Sequence, residues 1–349
     1  MQTPKKTIPI LLVIIATILV VAALKATYAI TMPLAFAFFI AVLVHPLQRW
    51  LNRYLPRWLS LLIVMLALAA VVGLAISALE LSAEIIEPKA PEYLDRLQEI
   101  LQTATSWLQD KGFPVNLELF KSQSSINRVT NEALGRIKSL ISALSLFVLV
   151  ISLLVLLLLE VGQYRRKIER SFSSKTSTKI IKAVASMSEK LRGYLLVVTF
   201  TSVITGVLTG LWCLLLGVDF AFVWGLIAFI LNYVPTLGSI IAVIPPTLLA
   251  LLFQGVGRGI ATLIGLAILQ VIIGNFVDPR LQGRSLQISP FIALFSIVFW
   301  GWVWGIPGAL LGVPMTVSII VLCKEFESTR PIAILLGELD DPDLQKPLK

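Results

Sequence analysis

Charge is what this chain has least of. Aspartate, glutamate, lysine and arginine make up 14% of its 349 residues, and 57% are hydrophobic. Water-soluble domains carry about a quarter charged residues, so this chain cannot cover a water-facing surface in the usual way. Cysteine and histidine are almost missing. Cys213 and Cys323 both lie in apolar runs with no CxxC partner, and His45 is the one histidine. This excludes a disulfide framework, a cysteine–histidine metal site and histidine-centred catalysis, so no metal and no cofactor are expected. His45, beside Pro46 at the end of an apolar run, reads as an interfacial residue. No HExxH, P-loop or nucleophile–base constellation is present, and Gly255 and Gly257 have no βαβ context. An enzyme is not expected, nor is ATP-driven transport by this chain alone.

What is present is a series of long apolar runs with basic residues between them. The net charge is +9, carried by short lysine- and arginine-rich stretches beside those runs. That arrangement fits cytoplasmic loops facing anionic lipid, and nucleic acid is not an expected partner. Ile8 to Leu24 resembles a signal peptide, with Lys5 and Lys6 ahead of it and Ala22 and Ala23 near its end. A second apolar run follows almost at once, so it is read as a retained first span.

The expected fold is all-α: a polytopic integral membrane protein with six full spans, two re-entrant helical hairpins and a small extramembrane helical segment. The full spans are placed at Ile8–Leu24, Tyr28–Val44, Trp58–Leu79, Leu140–Leu159, Tyr194–Val218 and Gly259–Val277. Residues 1–79 form an N-terminal hairpin and third span. Residues 80–139, mixed in charge and with Leu94, Leu97, Leu101, Trp107 and Leu108 near helical spacing, form an extracytoplasmic amphipathic segment. Residues 140–192 hold the fourth span and a basic cytoplasmic linker, 193–326 a transport core, and 327–349 a cytoplasmic tail. The basic stretches place both termini on the cytoplasmic side of the cell inner membrane.

Two apolar stretches have the wrong length. Phe220–Gly257 and Ser285–Cys323 contain no charged residue. Each is too long for one crossing and must turn back. In the first, Asn232, Tyr233, Val234, Pro235, Thr236, Leu237 and Gly238 supply the break, because proline lacks an amide hydrogen and glycine accepts positive φ. The arm from Phe220 to Val234 reaches roughly 22 Å, short of the ~30 Å hydrocarbon core. In the second, Trp300, Gly301, Trp302, Trp304, Gly305, Pro307 and Gly308 mark the turn. Pro245 and Pro246 are expected to interrupt the first return arm, and Pro314 the second. A span followed by a broken hairpin, repeated in opposite orientation, is the pattern of an inverted repeat, and paired broken segments point to a transporter's substrate site. Broken helices leave backbone groups that lipid cannot satisfy, so such groups line wet cavities. Ordinary tight hairpins of full-length helices are the plainer alternative.

With these motifs in view, the chain resembles the AI-2E (autoinducer-2 exporter) family of transporters. The likeness is carried by Leu216-Gly217-Val218-Asp219, Asn232 through Gly238, Asn275-Phe276-Val277-Asp278-Pro279-Arg280, Gly283-Arg284-Ser285-Leu286, Ser289-Pro290, and Gly301, Gly305, Gly308, Ala309 and Val313-Pro314. It extends to His45-Pro46 and Pro56-Arg57-Trp58, and so covers nearly the whole chain. The resemblance implies a membrane carrier exporting a small polar, autoinducer-2-like solute, with sodium(lithium)/proton antiport as the alternative. It also implies a homo-oligomer, a pentamer, and an elevator-like secondary mechanism.

The expected partners are therefore the lipid bilayer, a small-molecule solute and further copies of the chain. Expected substrate-binding residues are Asn232, Tyr233, Pro235, Thr236 and Gly238 at the first tip, and Gln270 and Asn275 on the intervening span. Trp300, Gly301, Trp304, Gly305 and Pro307 are expected at the second tip, with Trp302 helping to wall the solute. For the asparagines and glutamine, helix–helix hydrogen bonding is the plainer role. Asp219, Asp278, Arg280 and Arg284 are the candidate gate or coupling residues, although all of them sit at the ends of runs, where interfacial charge pairs are common. A non-transporting membrane scaffold is the last alternative; it has no need of two broken helices.

Overall fold

A computed structural model describes residues 7–110, 144–235, 237–282, 288–326 and 329–337. Thr236, Arg284 and the rest of the Gly283–Leu286 motif, together with residues 111–139 of the amphipathic segment, lie outside the described residues.

Among the described residues every element is helical. In chain order they are α1 (Thr7–Ala26), α2 (Tyr28–Leu51), α3 (Arg57–Asp110), α4 (Leu144–Ser171), α5 (Ser174–Leu215), α6 (Ala221–Leu231), α7 (Leu237–Gln254) and α8 (Val256–Ile272). A π-helical turn at Ile273–Val277 follows, then α9 (Asp278–Gln282), α10 (Pro290–Trp304), α11 (Ile306–Glu325) and α12 (Arg330–Leu336). The chain is a polytopic membrane protein: seven helices among the described residues are long and apolar enough to cross a bilayer. They are α2, α4, α5, α7, α11, the start of α3 (Arg57–Leu74), and α8 with its π turn (Val256–Val277). Large apolar side chains cover their outer faces, for instance Leu66, Leu74, Leu156, Leu214 and Ile244. In lipid these positions need no covering.

Helices run past the apolar runs that define them, α3 and α5 furthest. α3 continues without a break from the third span to Asp110, and α5 takes in the basic stretch from Lys175 to Arg192 before it reaches its apolar half. A change from apolar to charged side chains alters what solvates a helix but removes no backbone hydrogen bond, so composition alone does not end it. α5 stops where the backbone itself changes. Gly217 has φ +68°, the amide of Val218 reaches back to the Cys213 carbonyl at 2.8 Å, and that of Gly217 to Leu214 at 3.0 Å. This is a Schellman cap, which consumes the last carbonyls of the helix.

The return arms also differ from expectation. Pro245 and Pro246 lie inside α7, and Pro314 lies inside α11. None of them interrupts its helix. Pro246 and Pro314 are wholly buried, and membrane helices tolerate proline where neighbouring groups absorb the lost hydrogen bond. Each hairpin is consequently asymmetric. The arms of the first are 11 and 18 residues, and those of the second 15 and 20.

The chain divides into two compact units. One comprises Met1–Leu61, Leu149–Val198 and Leu281–Lys349, and therefore holds the second hairpin. The other comprises Leu62–Val148 and Thr199–Arg280 and holds the first. In the unit with the second hairpin, Met32, Trp300, Val303 and Trp304 form a buried cluster. In the other, Cys213, Val218, Val243, Ala250 and Leu266 do so, with Trp212 and Trp224 packed against them.

Candidate functional site

The tip of the first hairpin is held by a row of hydroxyls on α5. Thr201, Thr205 and Thr209 recur at i, i+4 and i+8 with Ser202 beside them, and all four are buried. The side-chain amide of Asn232 donates to Ser202 Oγ at 3.0 Å and to Thr201 Oγ1 at 3.4 Å. Its carbonyl oxygen accepts from Thr205 Oγ1 at 3.5 Å. One turn lower, the Tyr233 hydroxyl donates to Thr199 Oγ1 at 2.9 Å, and its ring meets Phe229 edge-on. The single Thr205 hydroxyl proton is directed to the Thr201 carbonyl at 2.8 Å, which leaves its 3.5 Å approach to Asn232 a weak, shared contact.

Depth follows from helix geometry. Counted along α5, Thr201 lies about 21 Å from the last residue, Leu215, and about 14 Å beyond Arg192 at 1.5 Å per residue. The tip therefore stops well short of the charged end of that helix. Glycine allows α6 to approach this closely. A Cβ at Gly225 would stand 2.6 Å from the Gly206 carbonyl oxygen, and one at Gly206 would stand 2.8 Å from the Gly225 carbonyl oxygen. The tip turns on Pro235, whose carbonyl accepts from the Leu237 amide at 2.7 Å. Gly238 is buried against the Leu231 carbonyl, where a side chain would collide.

Asp278 stands at the same level. Its side chain is hydrogen-bonded to Thr201, and its Oδ1 is closed off from solvent with no hydrogen-bond partner among the described residues. Reading it from sequence as an end-of-run charge missed this, because the π turn carrying Asn275 stands between α8 and the carboxylate. Single π turns recur at functional sites. Asn275 itself is exposed on that turn, Gln270 is half-buried on α8, and Arg280 is exposed on α9. Asp219 is half-buried between α5 and α6, where its backbone carbonyl accepts from Trp224 Nε1 at 2.8 Å.

In the other unit the second tip is built from aromatic residues. Trp300 and Trp304 are buried, with ring centroids 5.2 Å apart. Trp300 Nε1 donates to Thr316 Oγ1 at 3.3 Å, and Trp304 Nε1 donates to the Leu24 carbonyl at 3.2 Å, at the end of α1. Trp302 is exposed, with Lys25 Nζ 3.8 Å above its ring. This tip thus docks on the turn between α1 and α2. Gly305, φ +70° and ψ −150°, makes the break, and Pro307 opens the first turn of α11. Gly301 meets Ala309 at ordinary van der Waals distance, whereas Gly308 and Gly312 lie directly against the carbonyls of Trp300 and Ser296.

The family profile of the AI-2E transporters matches residues 9–328. The chain belongs to the AI-2E transporter family. It is similar to the "AI-2 transport protein TqsA" of Escherichia coli K12, 30% identical over 328 residues, covering 93% of this chain and 94% of that one. It is also similar to the "Sodium-lithium/proton antiporter" of Halobacillus andaensis, 26% identical and covering 85% of this chain and 89% of that one. This AI-2E protein is accordingly a membrane transporter. The α5 hydroxyls are what sequence reasoning did not single out. The signal was available, since threonine recurring every four residues in an apolar span marks one polar helix face, but it carries no information about what faces it.

Proposed function

We propose that this AI-2E protein exports a small polar solute of the autoinducer-2 kind across the cytoplasmic membrane by secondary transport. The single observation that carries the reading is the first hairpin tip, with Asn232 hydrogen-bonded to Thr201, Ser202 and Thr205 deep along an apolar helix. A helix broken at that depth exposes polar groups that lipid cannot satisfy. Here α5 hydroxyls satisfy them. A solute bearing several hydroxyl or carbonyl oxygens exchanges for those bonds one for one, so the tip can release α5 and take up solute at little net cost. Tyr233, Pro235 and Gly238 shape that tip, and Gln270 and Asn275 offer polar groups on α8 and its π turn. The Trp300–Pro307 turn forms the second tip.

The hairpins are re-entrant in this reading. Both termini are cytoplasmic, and residues 80–139 face the outside. The transport step is elevator-like, with the first hairpin carrying the bound solute. The relative named for AI-2 transport supports the solute class. Further copies of the chain, five in the family's arrangement, would cover part of the apolar outer surface.

The test is uptake and release by proteoliposomes across a panel of small polar solutes, comparing wild type with Asn232→Ala and Pro235→Ala. A solute moved by wild type and slowed at least tenfold in both variants identifies the class. Equal flux in all three removes the tip from the transport path. A second reading, sodium(lithium)/proton antiport, is favoured by the relative of that name and by the sequestered carboxylate of Asp278.

A further inference from the structure

The N-terminal half of α5 carries more positive charge than a membrane surface can use. From Glu160 to Arg192 the end of α4 and the start of α5 hold nine basic residues against three acidic ones. Lys175, Lys179 and Lys182 are exposed and recur at i, i+4 and i+7, so they line one stripe of the helix. Lys182 Nζ stands 3.9 Å from Glu325 Oε2, at the end of α11. Among the described residues Lys175 and Lys179 make no ion pair.

Anionic lipid is the usual partner of such a stripe, and distance argues against it. The uncharged part of α5, Tyr194 to Leu215, measures about 33 Å, enough to cross the hydrocarbon core. From Tyr194, Lys182 lies about 18 Å along the helix, Lys179 about 22 Å and Lys175 about 28 Å. Headgroups occupy roughly the first 5–8 Å, and salt screens an exposed charge over about 8 Å. Lys179 and Lys175 therefore stand beyond the field of the lipid phosphates.

The chain carries its own complement. Just after the described residues come Glu338, Asp340, Asp341 and Asp343, four acids in six residues with no base among them. They follow directly from α12, which packs against α11 and buries Ala333. Gly337 leaves that helix with extended backbone, φ −84° and ψ 175°. The acidic run thus departs one short helix beyond Glu325, the residue already at the foot of the stripe. Six extended residues reach up to about 20 Å, and Lys175 to Lys182 span only about 10 Å. All of these residues belong to one compact unit.

We propose that the acidic run 338–343 docks on the Lys175–Lys179–Lys182 stripe as a strap. It ties α11 and α12, the return arm of the second hairpin and its extension, to the basic half of α5. Its tether gives it a high effective concentration there, so weak surface pairs suffice. Screening sets its strength, and ionic strength on that side of the membrane loosens it. The strap is independent of which solute the protein carries.

The test is disulfide trapping in the full chain, purified in detergent. In a Cys213→Ala, Cys323→Ala background, Thr178→Cys stands exposed beside the stripe and Leu339→Cys lies within the acidic run. Neither change removes a charge. Under a copper–phenanthroline oxidant the pair should close within one chain at about 50 mM sodium chloride, and at least fivefold more slowly at about 500 mM. Val184→Cys, exposed on the opposite side of α5, measures tethering alone and should close with Leu339→Cys at least fivefold more slowly than Thr178→Cys does. Lys175→Glu with Lys179→Glu should slow the Thr178→Cys pair at least fivefold, and adding Asp340→Lys with Asp341→Lys should restore it. Closure that ignores salt or charge reversal overturns the strap. A dimer band on a non-reducing gel, in place of the single-chain product, gives the stripe to a second copy and overturns it too. In liposomes, phosphatidylcholine alone and phosphatidylcholine mixed with phosphatidylglycerol should give equal rates. Slowing by phosphatidylglycerol hands the stripe to lipid and also overturns the proposal.

Discussion

The side-chain amide of Asn232 donates to the hydroxyl of Ser202 at 3.0 Å, and so joins the tip of a broken helix to the middle of an unbroken one. Both residues are uncharged, and both would be ordinary helix-packing polar groups elsewhere. Here they pin the tip of the first hairpin to the hydroxyl row of α5.

Removing the amide strands the hydroxyls. Asn232→Leu deletes the two bonds its amide donates, to Ser202 and Thr201. Thr205 retains its bond to the Thr201 carbonyl, so Ser202 is the group left short. The expected cost is about 1–3 kcal/mol, read as a lower melting temperature in detergent. Identical melting curves would mean that the tip gains nothing from α5.

The approach of α6 to α5 depends on a missing side chain. Gly225→Leu places a branched side chain against the Gly206 carbonyl, with Gly210 also close by. Backbone cannot move aside as a flexible side chain does, so overpacking of about 1–3 kcal/mol or more is expected. The variant should be poorly recovered as monodisperse protein. Gly257→Ala, with nothing within 4 Å, should be recovered as wild type. Equal recovery of both would contradict the close approach.

Gly305 is under a different constraint. A Cβ there would meet only Pro307 Cδ, at 4.0 Å, so space is not limiting. The backbone is, because φ +70° with ψ −150° belongs to glycine. Gly305→Ala is expected to lose about 1–3 kcal/mol through strain alone, whereas Gly301→Ala, in ordinary contact, should lose less. Comparative thermal unfolding separates the two, and the reverse order would place the break elsewhere.

Trp304→Phe keeps most of the aromatic packing and removes one donor. The Leu24 carbonyl still accepts from Thr31 Oγ1 at 3.3 Å, so no acceptor is orphaned and the loss should be about 1 kcal/mol. Trp304→Ala should cost about 3–5 kcal/mol, because it opens a cavity beside Met32 and Trp300. If both variants melt alike, the indole is not packed as described.

Depth can be measured directly. In a Cys213→Ala, Cys323→Ala background, Ser202→Cys should react with a membrane-impermeant thiol reagent at least a hundred times more slowly than Arg165→Cys, whose native side chain is exposed. Equal rates from either side of the bilayer would place the tip at a water surface and end the re-entrant reading.

Much of this was visible in the residues. The apolar runs, their basic flanks, and the breaks at Asn232–Gly238 and at Gly305 needed only composition and the backbone limits of glycine and proline. Other features were not. Pro245, Pro246 and Pro314 read as breaks but lie inside continuous helices, because each proline removes one amide while the bonds on either side of it still hold the helix. The glutamates and lysines that close the third apolar run, and the basic residues ahead of the fifth, looked like boundaries. Yet α3 and α5 pass through them, since charge changes solvation without removing a hydrogen bond. Thr201, Thr205 and Thr209 were legible as a polar face and illegible as a site.

The sequence by itself settled that this chain lives in lipid, that it is helical, and where two of its helices must turn, because those properties depend on local composition and local backbone freedom. Only the tertiary structure decided what each turn meets. Asn232 found hydroxyls about thirty residues away along the chain, Trp304 found the carbonyl of Leu24, and Asp278 came level with the first tip. Contacts between residues so distant in sequence depend on how helices pack, and no local pattern encodes them.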